Sequence, residues 1–90
     1  MQKAVALRPD YPDAINNLGV LYLRQGQNAL AEEQFSTCIR VAPSFDQAYL
    51  NLARLYMLLQ EKDKARETLQ ALLRVQPDHQ LARQALEMLN

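Results

Sequence analysis

"AINNLGVLYLRQGQNALAEEQFSTCIRVAP", residues 14–43, has an echo in "AYLNLARLYMLLQEKDKARETLQALLRVQP", residues 48–77. The two stretches align without a gap at an offset of 34, and Pro9, Pro43 and Pro77 share that spacing. Each proline closes a similar phrase: "VALRPDY", "IRVAPSF" and "LRVQPDH". A period of roughly 20–50 residues is the mark of stacked repeats, in which one supersecondary unit buries its apolar face against the next.

Inside the period the apolar residues have helical spacing. Ala14, Ile15, Leu18, Leu21 and Tyr22 form one stripe. Leu30, Ala31, Phe35, Cys38 and Ile39 form another after the break "RQGQN". The second unit repeats the scheme with Ala48, Tyr49, Leu52, Leu55 and Tyr56, then Ala65, Leu69, Leu72 and Leu73 after "QEKD". Gly26 suits a left-handed turn. Gly19, Ala31, Ala53 and Ala65 are small enough for helices to approach closely. Each proline ends a helix, because it donates no hydrogen bond and restricts the residue before it. Asp10, Ser44 and Asp78 follow the prolines as candidate N-caps, Ser44 with Gln47 fits a capping box, and Asp63 is a further candidate cap. The pattern predicts helices near residues 2–8, 12–25, 29–41, 45–59, 63–75 and 79–89.

Ile15, Leu18, Gly19, Tyr22, Ala31, Phe35 and Pro43 recur as Tyr49, Leu52, Ala53, Tyr56, Ala65, Leu69 and Pro77. This set resembles the tetratricopeptide repeat family, whose signature has a large residue, Leu-Gly, Tyr, Ala, a large apolar residue and Pro at these positions. The departures are Ile15 and Tyr49 where Trp is typical, Ala53 for Gly, and Leu69 for an aromatic residue. The resemblance covers essentially the whole chain. It implies an all-α, right-handed α-solenoid of about six helices in antiparallel pairs. Residues 1–90 then form a single repeat domain: a second-helix half repeat (1–11), two repeats (12–45 and 46–79) and a first-helix half repeat (80–90).

The same resemblance implies that the first helix of each pair lines a concave face. Helical spacing puts Asp13, Asn16, Asn17, Val20 and Arg24 on one face, continued by Gln47, Leu50, Asn51, Arg54 and Leu58, then by Leu81, Gln84, Ala85 and Met88. Asn17 and Asn51 occupy equivalent places. An amide carries both donors and an acceptor. Two readings stay open: a short ladder gripping the backbone of an extended peptide, or amides bonded to neighbouring helices and water. Val20, Leu50, Met57, Leu58 and Met88 offer apolar contact, and Arg54, with Arg24, offers charge for an acidic group. The carboxylate-clamp subgroup is a poor match, because Asn16, Val20, Leu81 and Ala85 stand where its basic and amide residues belong.

Composition narrows the rest. Ten basic and ten acidic side chains leave no net charge, which argues against nucleic acid and anionic membranes as partners. The hydrophobic fraction of 49% supports a folded core, without an apolar run long enough for a membrane span. Localisation therefore defaults to the cytoplasm, with no signal or anchor in this sequence. The lone Cys38 reads as a core thiol, and the lone His79 lacks metal-binding companions. No glycine-rich phosphate loop or nucleophile arrangement is present, so no cofactor and no enzymatic activity are expected.

The expected function is a non-catalytic protein–protein interaction module that binds a peptide or partner segment. Its groove residues would be Asn16, Asn17, Val20, Arg24, Gln47, Leu50, Asn51, Arg54, Leu58, Gln84 and Met88. One alternative is self-assembly through uncapped end helices bearing Val5, Leu7, Leu81, Leu86, Met88 and Leu89. Another is substrate docking for a larger enzyme.

Overall fold

The structure, a computed structural model, describes residues 11–89. They form five helices and no strand: α1 (Pro12–Arg24), α2 (Asn28–Val41), α3 (Asp46–Leu58), α4 (Lys62–Val75) and α5 (Gln80–Leu89). Each helix packs on the next along the chain, and α1 also touches α3. This is the stacking that a repeated apolar stripe requires. Every described helix end lies within one residue of the range expected from sequence. The helix expected near residues 2–8, with Val5 and Leu7, lies outside the described residues.

The turns inside the two units are built alike. Gly26 has φ of +78°, and its N–H bonds the Leu23 carbonyl at 3.1 Å, while the Gln27 N–H reaches the Tyr22 carbonyl at 2.9 Å. That pair of bonds is a Schellman motif closing α1. One period on, Gln60 takes φ of +62°, with Gln60 N–H to Met57 at 3.0 Å and Glu61 N–H to Tyr56 at 2.8 Å. The second turn thus forces a side chain into the left-handed region that favours glycine.

The capping residues differ from expectation. Phe45, rather than Ser44, is the N-cap of α3, and it makes no side-chain cap bond, so the Ser44–Gln47 box does not form. Its N–H closes a turn on the Ala42 carbonyl at 3.0 Å, which delays the helix start by one residue. Its side chain packs against a small cluster of Ile15, Cys38 and Ala48. Glu61 precedes α4, so Asp63 falls inside its first turn, where it pairs with Arg66 at 3.0 Å instead of capping. Asp78 is likewise displaced by His79. The His79 carbonyl accepts the Arg83 N–H at 3.1 Å, and His79 Nδ1 accepts the Ala82 N–H at 3.2 Å. A ring nitrogen here does the work of an N-cap oxygen. Since Nδ1 accepts, the ring proton sits on Nε2, which donates to Asp46 Oδ2 at 2.7 Å. The start of α5 is thereby tied to the start of α3.

The main core runs through α2, α3, α4 and α5, with Phe35, Leu55, Leu69 and Leu72 among its most buried members. Gly19 decides how closely α1 meets α2. A Cβ there would lie 2.6 Å from Cε1 of Phe35, inside the contact distance of any carbon pair. Its counterpart Ala53 faces the smaller Leu69, and both are buried. Leu18 and Leu21, by contrast, are 38% and 49% exposed, whereas their counterparts Leu52 and Leu55 share the main core with Ala31 and Phe35 of α2.

Candidate functional site

The residues expected to line one face separate into two groups. Between α1 and α3, Asn51 Nδ2 donates to Asn16 Oδ1 at 3.0 Å. Asn16 is only 4% exposed, so its amide serves the contact between these helices. Asn51 is half-buried, and Asn17, next to Asn16 on α1, is exposed. The two equivalent asparagines, Asn17 and Asn51, are therefore not equivalent in environment. Val20 is half-buried and packs on the main core, and Arg24 and Gln47 are exposed.

Between α3 and α5 the chemistry changes. A groove of about 270 Å³ is lined by Leu50, Ala53, Arg54 and Met57 of α3, by Leu81, Ala85, Met88 and Leu89 of α5, and by Leu69 of α4. Its position follows from the one-period offset. Leu50 stands where Asn16 stands in the first unit, and Ala85 stands where Asn51 does. No amide pair closes this gap. Leu69 is also smaller than Phe35, its counterpart, and leaves room above it.

Met88 is 86% exposed and Leu81 60%, so two large apolar side chains of α5 face the solvent beside the groove. Together with exposed Met57 and half-buried Leu50 they give the groove an apolar rim. Arg54 is the one charged residue of the lining. It is exposed and has no ion pair or hydrogen bond with any described residue.

Of the residues expected in the site, Leu50, Arg54 and Met88 come together in this groove, joined by Leu81. Asn16, Asn17, Val20, Arg24, Gln47, Asn51, Leu58 and Gln84 lie outside its lining. Leu58 is 65% exposed at the end of α3. Leu86 is half-buried and Leu89 buried in the main core. Arg66 Nη2 donates to the Leu89 carbonyl at 3.3 Å, which further ties down the end of α5. Ala53 and Leu69 line the groove although their spacing marks them as packing residues, and Leu89, expected at a self-associating end helix, lines it from within the main core. The signal for the space was the departure at Leu69, an aliphatic side chain where the repeat signature has an aromatic ring.

The remaining polar groups are engaged elsewhere. Tyr56 donates to Glu32 Oε2 at 2.7 Å, and burial, then this bond, pushes its phenol pKa up. Lys64 pairs with Glu61 at 3.0 Å and lies over the Tyr56 ring. Tyr49 donates to the Pro43 carbonyl at 2.6 Å. Cys38 is buried, its thiol is directed at the Pro12 carbonyl, and burial raises its pKa to about 11. A thiol so protonated near neutral pH is a poor nucleophile. Among the described residues no group of three or more His, Cys, Asp or Glu side chains could hold a metal ion. No described helix is long and apolar enough to cross a membrane.

Comparisons with known proteins agree with this fold. Two family models, both described as tetratricopeptide repeat, match residues 23–89 and residues 1–33. Among solved structures, the first TPR of Spaghetti (RPAP3) bound to the HSP90 peptide SRMEEVD is similar, with a TM-score of 0.79 and 22% identity over 97% of this chain and 71% of that one. The MamA protein is similar with a TM-score of 0.82 and 23% identity over 98% of this chain and 48% of that one, so this chain spans about half its length. At these identities the likeness is one of fold. No curated protein matches the chain.

Proposed function

The chain belongs to the tetratricopeptide repeat family, and from that premise we propose that it is a protein–protein interaction module whose binding site is the groove between α3 and α5. The observation that carries this reading is the groove itself: apolar on both walls, open, and edged by Arg54, which has no ion pair or hydrogen bond among the described residues. Such a site takes an apolar side chain from an extended partner segment. Met57 and Met88 can adjust their unbranched side chains to different occupants. Asn17 is exposed, and Asn51 keeps one N–H and its carbonyl oxygen beyond the bond to Asn16, so both can reach the main chain of a segment that continues toward α1. A similar structure described as bound to an HSP90 peptide supports peptide binding by a fold of this shape.

The test is an unbiased peptide-array screen followed by calorimetry on the Met57→Lys/Met88→Lys variant. Both side chains are exposed, so the fold should survive the change. Peptides selected by the parent should lose binding to the variant while its circular dichroism stays helical. Undiminished affinity, or a screen that selects nothing, defeats the proposal. Association between copies is the second reading, favoured by the exposure of Leu81 and Met88 on one helix. Sedimentation equilibrium separates it, because a peptide reader stays monomeric across concentration.

A further inference from the structure

We infer that the segment held in this groove carries a leucine or methionine anchor next to an internal glutamate or aspartate, whose side-chain carboxylate is received by Arg54. The inference rests on the groove reading above and adds the partner's chemistry to it. Apart from Arg54, the lining is apolar throughout. The surface asks for an aliphatic anchor, and then for something to meet one guanidinium. Arg54 has no ion-pair or hydrogen-bond partner among the described residues. By contrast Arg66, twelve residues on and in the neighbouring helix, already pairs with Asp63. A planar guanidinium free of internal partners matches a carboxylate through two parallel hydrogen bonds.

The place of Arg54 along α3 decides between a side-chain carboxylate and a chain terminus. Leu50, one turn before it, and Met57, nearly one turn after it, both line the groove. Apolar wall therefore continues on both sides of the charge. A partner chain that ended at Arg54 would leave half of that wall uncovered, whereas one that passes it covers both. The recognised acid is thus internal to the segment. The chain has no net charge, so attraction is local to the groove and long-range steering is weak.

The probes are two synthetic nonapeptides, acetylated and amidated at their ends, with sequences Ac-GSGLEGSGS-NH2 and Ac-GSGLQGSGS-NH2. A third, Ac-GSGLE with a free C-terminal carboxylate, replaces the internal acid with one near a terminus. Binding is read from the methionine methyl resonances of the full chain, since Met57 and Met88 both line the groove. The Leu-Glu nonapeptide should shift both methyls with an affinity about fivefold above that of Leu-Gln, the size expected of an ion pair at a groove edge. Arg54→Gln should abolish that preference, and Arg54→Lys should retain part of it. The truncated peptide should bind more weakly than the Leu-Glu nonapeptide.

Equal shifts from Leu-Glu and Leu-Gln, or a preference that survives Arg54→Gln, overturn the inference while leaving the groove as the binding site. A truncated peptide that binds more tightly overturns the internal placement of the acid. If none of the peptides moves either methyl, the inference and the groove reading fall together.

Discussion

The two contacts between first helices, α1 with α3 and α3 with α5, are one period apart and use opposite chemistry. In the first, Asn16 and Asn51 meet through one hydrogen bond, with Asn16 buried between the helices. In the second, the same two places hold Leu50 and Ala85, and the gap between them is part of an apolar groove. The layer beneath differs in the same sense. Gly19 admits the full Phe35 ring in the first unit, and Ala53 faces the smaller Leu69 in the second. A repeat fold fixes the backbone frame and leaves the surface free to differ. Here a handful of side chains turn one frame into an amide-bonded contact and, a period later, into a recess.

The difference can be broken most sharply at Gly19. Gly19→Ala should cost about 2 kcal/mol of unfolding free energy, because the added carbon overlaps a fully buried ring. Adding Phe35→Leu copies the second unit's pair and should recover part of the loss. Urea denaturation of the four members of this cycle measures the coupling. A Gly19→Ala protein as stable as the parent would mean that the ring is not held where the packing places it.

The amide pair comes next. Asn51→Ala leaves Asn16 buried without its partner and should destabilise by roughly 1.5 kcal/mol. Replacing both, as Asn16→Leu/Asn51→Ala, imports the second contact's chemistry into the first and should return most of that stability. Urea denaturation should show the single variant below the double. The opposite order would show that the bond contributes nothing to the α1–α3 contact.

His79→Ala should cost about 1 kcal/mol, the usual loss for a removed N-cap. His79→Asn should keep the cap on Ala82 and lose only the link to Asp46, so its melting temperature should fall between the other two. An alanine variant no less stable than the asparagine one would remove the cap from the account. The smallest effect belongs to the second turn. Gln60→Gly should stabilise by roughly 0.5 kcal/mol, by relieving the left-handed strain that Gly26 avoids in the first. A loss of stability instead would show that the Gln60 side chain contributes more than its backbone conformation costs.

Much of this was legible before any coordinates. The period of 34, the helical spacing of Leu52, Leu55, Leu69 and Leu72, and the small residues at Gly19 and Ala53 determine five described helices and their order of packing. These are local signals, set by backbone propensity and by which face must avoid water. The face holding Leu50, Arg54, Leu81 and Met88 was legible for the same reason. What sequence spacing could not supply was which neighbour each polar side chain would meet. Asn17 and Asn51 look identical by period, yet among the described residues only Asn51 bonds an amide, that of Asn16 on the preceding first helix α1, and no described first helix stands before α1 to offer Asn17 the same. The shift of the caps from Ser44 to Phe45 and from Asp78 to His79 likewise depended on one extra residue of turn after each proline. Sequence by itself therefore determined the helices, their repeat and the apolar faces that drive stacking, since these follow from the order of residues along one chain. Tertiary structure alone decided that one contact closes with an amide pair and the next opens as a groove. Hydrogen-bond reach and the volume left between side chains exist only once separate helices have been brought to within a few ångströms of each other.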